Sequence, residues 1–227
     1  LMARGANSQL IEAQEQTPVT VYAGGESCSL QFDLLGRATY DTPCDMVRNI
    51  LTREGVPFTP IEAEADAPVT VKIGDVLVEP RDVQAEGEAA IAEARAELTG
   101  EIRSALVAAG YPQSADPGRM NWFFIAASFA VLVVAATALY GPLAAAMVEL
   151  FPTNIRYTAL SVPYHVGVGW VGGFMPVTAF AISSATGNLY SGLWYAVFFA
   201  AFSLTCCLLF FPETKGRSLE AQGSGKI

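Results

Sequence analysis

Histidine and clustered basic residues are scarce in this chain. Its 227 residues include one histidine, and 13 Lys and Arg stand against 22 Asp and Glu. No run of Lys and Arg occurs that would bind phosphates, which argues against a nucleic-acid partner. Residues 1–119 contain no histidine, and so offer no Ser–His or Cys–His pair. Their carboxylates lack the spacing of a calcium-binding loop. We therefore expect no enzyme activity, no catalytic residue, no cofactor and no metal site.

A signal peptide is also missing. The first ten residues, LMARGANSQL, lack a charged region followed by an apolar one. Residues 1–119 therefore either stay in the cytoplasm or follow membrane helices that lie upstream. We expect the second arrangement, in which this chain is the C-terminal part of a longer protein.

Charge is concentrated in the first half of the chain. Residues 1–119 carry 9 Lys and Arg and 19 Asp and Glu, a net charge of −10, whereas residues 120–227 carry 4 and 3, a net charge of +1. The second half contains three long apolar stretches, at about 121–151, 158–183 and 190–211. About 20 helical residues cross a hydrocarbon core of about 30 Å. Soluble helices need a polar face, which these stretches lack. We predict three transmembrane helices within 120–211.

The few charges of the second half predict the orientation of these helices. Arg156 lies between the first two apolar stretches, and the tail 212–227 carries Lys215, Arg217 and Lys226, whereas the loop 184–189 is uncharged. Positive residues favour the cytoplasmic side of a membrane. The tail is therefore predicted to be cytoplasmic, and residues 1–119 to be extracytoplasmic.

The acidic half has the signals of a small α+β domain. Residues 1–16 are predicted to be a helix or its frayed end. A second helix is predicted in 41–55, where Thr42 is the N-cap, Pro43 the first helical residue and Gly55 the stop. The alternation in 68–80, with a turn at Gly74-Asp75, predicts a β-hairpin. An apolar stripe in 82–109 predicts a long helix that ends at Gly110.

Cys28 and Cys44 are the cysteines of the acidic half. We predict a disulfide between them if this half lies outside the cell, because disulfides persist in oxidising compartments. Two free thiols are the alternative if it lies in the cytoplasm. Cys206 and Cys207, in the third apolar stretch, are expected to pack as small apolar residues.

The second half carries two charged motifs, 149-ELFPTNIRYTALS-161 after Gly141-Pro142, and 212-PETKGRSLE-220. With the Gly-rich stretch between them, these motifs resemble the end of a major facilitator superfamily transporter over residues 120–220. The segment 163-PYHVGVGWVGG-173 is most similar to the metabolite:proton symporter branch.

The resemblance implies that the apolar stretches are helices 10, 11 and 12 of a twelve-helix transporter. It also implies that residues 1–119 are an enlarged extracytoplasmic loop between helices 9 and 10. Glu149, Arg156 and Glu213 would then form a cytoplasmic charge network that biases the rocking of two six-helix halves. The alternative is that these charges only anchor the helices at the membrane surface.

Residues of the first two stretches are candidates for a substrate or proton pathway. His165 lies 7 residues beyond Thr158, which is about 10 Å along a helix. An ionisable side chain at such depth indicates function, and histidine titrates near neutral pH. A neutral histidine bonded to a neighbouring helix is the alternative. The side chains of Tyr140, Tyr164 and Trp170 either line the transport cavity that the resemblance implies, or face lipid or another helix.

The expected function is secondary active transport of a small polar metabolite across the cell membrane. Sugar transporters typically carry a tryptophan three residues after the Gly-Pro pair, where this chain has Ala145. By analogy with the symporter branch, the substrate is an organic acid or a zwitterion that moves with protons. The expected partners are this solute, protons, the lipid bilayer and the upstream helices of the transporter. A membrane-anchored extracytoplasmic binding or sensor protein is the alternative.

Overall fold

The computed structural model describes residues 7–24, 28–33, 38–64, 67–83, 87–151 and 154–210. The chain divides into two compact units, one made of Leu1–Trp122 and Pro176–Tyr195 and the other of Phe123–Met175 and Ala196–Ile227. The elements up to residue 108 are α1 Ser8–Gln16, β1 Val19–Gly24, α2 Pro43–Arg53, β2 Phe58–Ala63, β3 Thr70–Ile73, β4 Val76–Val78 and α3 Glu88–Ala108. They are followed by α4 Trp122–Leu150, α5 Arg156–Tyr164, a π-helical segment His165–Gly172, α6 Gly173–Thr186 and α7 Leu193–Phe210.

Helix α2 begins and ends as its sequence predicts. The Thr42 side chain accepts a hydrogen bond from the Asp45 N–H at 3.1 Å, and Pro43 is the first helical residue. Gly55 follows with φ of 69°, a left-handed conformation that favours glycine. The long helix α3 begins at Glu88, later than predicted, and Gly110 follows its C-terminal end with φ of 85°.

A four-stranded sheet lies in the first unit, in the order β2-β1-β3-β4. Strand β1 pairs parallel with β2 and antiparallel with β3, and β3 pairs antiparallel with β4 through the turn at Gly74. The predicted hairpin is therefore present, but β1 and β2 were not predicted from the sequence. Pro60 lies within β2, which is possible because β2 is an edge strand.

The core of the first unit lies between the sheet and its helices. The predicted stripe of α3 contributes Leu98, Ile102 and Leu106, which are buried, and Ile91 and Ala109, which pack against the core at its margin. The other large buried side chains of this cluster include Met46, Leu51, Val71, Ile73 and Val83. Burial of these apolar groups is the main favourable contribution to the folding of the domain.

Three helices of the described residues are long and apolar enough to cross a membrane: Trp122–Leu150, Arg156–Thr186 and Leu193–Phe210. The second comprises α5, the π-helical segment and α6. No side chain of α4 or α7, both of which are described throughout, is buried within the protein. Apolar side chains on all sides of a helix are typical of a membrane span.

Candidate functional site

A cavity of about 530 Å³ lies beside α4 and α5 in the second unit. Its lining residues are Tyr140, Leu143, Ala144, Met147 and Val148 from α4, and Tyr157, Leu160, Ser161, Tyr164 and His165 from the second span. Small-molecule sites typically have such a largely apolar wall with a few polar groups. Here the polar groups are three tyrosine hydroxyls, one serine and the histidine.

His165 lies where α5 passes into the π-helical segment. Its Nδ1 is 2.7 Å from the carbonyl oxygen of Ser161 and 3.3 Å from the Ser161 hydroxyl. A carbonyl oxygen only accepts hydrogen bonds, so the 2.7 Å contact places a proton on Nδ1. In the neutral imidazole, Nε2 is then the atom that accepts a proton. Tyr164 packs edge-on against the imidazole, with ring centroids 5.9 Å apart.

The π-helical segment His165–Gly172 interrupts the regular α-helix of the second span. Pro163, which has no N–H to donate, lies just before the segment, and Gly167, Gly169 and Gly172 lie within it. Local π-helical turns in α-helices occur frequently at functional sites. The sequence thus changes the helical geometry at the residue that carries the titratable side chain.

Arg156 is the first residue of α5, and Glu149 lies near the end of α4. The Arg156 Nε donates to the carbonyl oxygen of Phe151 at 3.1 Å. Its Nη2 is buried and has no hydrogen-bond partner in the described part of the chain. The predicted charge network of Arg156 with Glu149 stays a prediction. Glu213 and the rest of the tail lie outside the described residues.

A family model described as "Sugar (and other) transporter" matches residues 100–224, which is more than half of the chain. The chain belongs to this transporter family. Its expected assignment to the major facilitator superfamily is thereby confirmed, and its general function is membrane transport. Neither the search of curated proteins nor the search of solved structures found a match.

The cavity beside α4 and α5 is lined by three of the four residues that the sequence singled out for a substrate or proton pathway. Tyr140, Tyr164 and His165 line it together, whereas Trp170 is outside the lining, 68% exposed, and packs edge-on against Phe174. Sequence reasoning missed Ser161 and Tyr157. The position of Ser161, one helical turn before His165, could have indicated its contact with the imidazole.

In the first unit of the transporter, Cys28 and Cys44 form the predicted disulfide, with their Cα atoms 5.3 Å apart. Cys206 and Cys207 are free. Next to the disulfide, the Asp45 carboxylate accepts hydrogen bonds from the Ser29 N–H at 2.8 Å and from the Ser29 hydroxyl at 2.6 Å. Asp45 is 2% exposed, so these bonds compensate for the removal of its carboxylate from water.

A buried polar network joins the acidic domain to the end of α6. The Gln31 side chain donates to the carbonyl oxygen of Asp45 at 2.6 Å and accepts from Asn49 at 3.3 Å. Its Oε1 also accepts a hydrogen bond from the Ser184 hydroxyl at 2.8 Å, across 153 positions of sequence. Gln31, Asn49 and Ser184 are all buried. The acidic domain is thereby docked against the end of a membrane-length helix.

A backbone contact next to this network joins the sheet to the loop after α6. The Phe58 N–H at the start of β2 donates to the carbonyl oxygen of Gly187 at 2.9 Å. Gly187 has φ of 71°, and a Cβ atom added there would collide with the carbonyl oxygen of Phe58. Glycine at position 187 thus allows two backbones to approach each other closely.

Proposed function

We propose that the protein moves a small polar metabolite, an organic acid or a zwitterion, across the cell membrane together with protons. The chain would supply helices 10, 11 and 12 of a twelve-helix transporter and the enlarged loop between helices 9 and 10. The observation that carries this proposal is the cavity beside α4 and α5, which has His165 in its wall.

His165 has the chemistry of a proton carrier. With Nδ1–H engaged by the Ser161 carbonyl oxygen, Nε2 takes up the proton and the ring becomes a cation that attracts an anionic group. Tyr140 and Tyr164 line the same cavity, and each offers a hydroxyl that donates and accepts hydrogen bonds. A metabolite with a carboxylate would thus bind best while His165 is protonated. Movement of the metabolite would then be coupled to movement of the proton.

The lining of the cavity supports a small acid or zwitterion over a hexose. Several hydroxyls of a hexose need hydrogen-bond partners, and its ring face packs well on a broad aromatic surface. On the α4 side, the lining consists of Tyr140 and the apolar residues Leu143, Ala144, Met147 and Val148. The neighbouring position 145, where sugar transporters typically carry a tryptophan, is Ala145. Among the polar side chains of the lining, His165 is the one that can become a cation, which suits a compact solute with an anionic group.

The contacts of the first unit support the proposed orientation. Gln31 and Phe58 of the acidic domain contact Ser184 and Gly187, which lie at the end of the second span opposite Arg156. The loop that carries Gly187 is uncharged, whereas the other end of the span begins with Arg156. Positive charge favours the cytoplasm, so the acidic domain and this loop would share the extracytoplasmic side.

Changing His165 to glutamine tests proton coupling. In proteoliposomes of the full-length transporter, we expect His165→Gln to lose pH-driven accumulation about tenfold or more, because glutamine cannot carry the proton. Exchange of labelled for unlabelled solute across the same membrane needs no net proton movement. It should continue at saturating solute, with a weaker apparent affinity because the cation that attracts the carboxylate is lost. The solutes to assay are monocarboxylates, dicarboxylates and betaines, with a hexose for comparison.

Trp170→Leu is the matched control, since Trp170 lies near His165 in sequence but outside the cavity lining. It should keep both accumulation and exchange. Undiminished pH-driven accumulation in His165→Gln would refute the assigned role of His165. Uptake of the hexose alone would refute the proposed substrate class.

A further inference from the structure

A second cavity lies beside the disulfide of the acidic domain. It has a volume of about 310 Å³, and Cys28, Arg48 and Glu62 contribute to its lining. Cys28 is half-buried, whereas Cys44 is fully buried. Cys28 is therefore the more accessible cysteine of the disulfide, and Cys44 is shielded.

Cys44 occupies a position that favours a thiolate. It is the second residue of α2, where backbone N–H groups have no partner within the helix and the helix dipole is positive. Cysteines at helix N-termini have lowered pKa values for this reason. If the disulfide opened by attack on Cys28, the electron pair would go to the sulfur at the helix terminus.

Arg48 adds a positive charge to the same region. It follows Cys44 by four residues on α2, a spacing that places both on one face of the helix. The Arg48 Nε is buried and has no hydrogen-bond partner in the described residues. Burial lowers the pKa of Arg48, and the nearby Asp45 carboxylate opposes this effect. An arginine beside a leaving sulfur stabilises the thiolate.

Two carboxylates lie close enough to oppose that effect. Asp45 is next to Cys44 in sequence, and Glu62 lines the cavity from β2. The Asp45 carboxylate is engaged by two hydrogen bonds from Ser29. The negative charges of Asp45 and Glu62 oppose the departing thiolate, which the helix terminus and Arg48 favour.

We propose that Cys28–Cys44 is a redox-active disulfide that exchanges with a dithiol of a protein or peptide in its compartment. One partner thiolate attacks the Cys28 sulfur, the Cys28–Cys44 bond breaks, and Cys44 leaves as the thiolate. The second partner thiol, once deprotonated, attacks the partner sulfur of the mixed disulfide and releases the Cys28 thiolate. The partner gives up two electrons and becomes a disulfide, and its two protons end on Cys28 and Cys44. This proposal is independent of the transport proposal.

Reduced glutathione in native buffer tests this exchange on the complete chain in lipid nanodiscs. We expect the disulfide to be reduced while the domain stays folded, as measured by mass spectrometry of alkylated thiols and by the protease resistance of the acidic domain. In Cys44→Ser, oxidised glutathione should form a stable mixed disulfide on Cys28. Arg48→Gln should slow reduction about threefold to tenfold, because the departing thiolate loses a neighbouring positive charge.

Arg53→Gln is the control, since Arg53 is an exposed arginine at the other end of the same helix. The disulfide of Arg53→Gln should be reduced at the rate of the parent chain. The disulfide of Arg48→Lys, which retains the charge, should be reduced at a rate within about twofold of the parent rate. Equal rates for Arg48→Gln and Arg53→Gln would refute the role of Arg48. Reduction that proceeds only as urea unfolds the domain would identify a purely structural disulfide and overturn the proposal.

Discussion

Replacing Arg156 by alanine in the full-length transporter should slow transport about tenfold or more while folding and membrane insertion remain largely intact. The Arg156 Nη2 is buried and has no hydrogen-bond partner in the described residues, and Nε bonds only a backbone carbonyl. A buried N–H donor without an acceptor costs about 1 to 3 kcal/mol, so a conformation that offers the Arg156 guanidinium a carboxylate is favoured. Glu149 and Glu213 are the proposed partners in the conformation whose cytoplasmic side is closed.

Arg156→Lys should recover only part of the rate, because lysine lacks the planar set of donors that can hold two carboxylates. The slower transport of Arg156→Ala should be accompanied by a shift toward conformations that are open to the cytoplasm. This shift is measured as faster alkylation of cysteines placed in the cytoplasmic half of the cavity. Lys215→Ala is the control, since it removes one positive charge from the same predicted side of the membrane. If Arg156→Ala transports at the parent rate with unchanged accessibility, the charge serves only as a topology anchor.

Gly187→Ala should destabilise the docking of the acidic domain more than Gly55→Ala does. A Cβ atom at position 187 would collide with the backbone carbonyl of Phe58, and the hydrogen bond between Phe58 N–H and the Gly187 carbonyl would be lost. Left-handed conformations alone cost a non-glycine residue about 1 to 3 kcal/mol. With the collision added, we expect the free energy that stabilises the docking to fall by more than about 3 kcal/mol.

Gly55→Ala is the matched control for this experiment. Gly55 has φ of 69° and Gly187 has φ of 71°, but an added Cβ at Gly55 meets no atom within 4 Å. Hydrogen exchange of the β2 amides, which begin at Phe58, reports the docking directly. We expect fast exchange at Phe58 in Gly187→Ala and near-parent exchange there in Gly55→Ala. Equal effects of the two replacements would show that Gly187 matters only for its backbone conformation.

Local signals in the sequence predicted much of the acidic domain. Thr42, Pro43 and Gly55 predicted the ends of α2, because caps and stops act within a few residues. Strands β1 and β2 escaped prediction because their pairing is parallel and spans a helix, and because Pro60 weakens the strand pattern of β2. The 3.6-residue pattern of α3 predicted its buried face, since that pattern repeats along the whole helix.

Contacts distant in sequence could not be predicted in this way. The Gln31–Ser184 hydrogen bond joins residues 153 positions apart, and neither residue is unusual in its own segment. The sequence also predicted regular helix around His165, whereas the chain is π-helical from His165 to Gly172.

The predicted orientation places the acidic domain and loop 184–189 outside the cell and the tail inside it. Impermeant thiol labelling of intact cells that express the full-length protein measures this most directly. Single cysteines are placed at Glu64, Asn188 and Ser218 after Cys206 and Cys207 are replaced by alanine. We predict labelling at positions 64 and 188, and labelling at position 218 only after the membrane is permeabilised. Labelling at position 218 in intact cells, with positions 64 and 188 protected, would contradict the orientation and the transporter topology built on it.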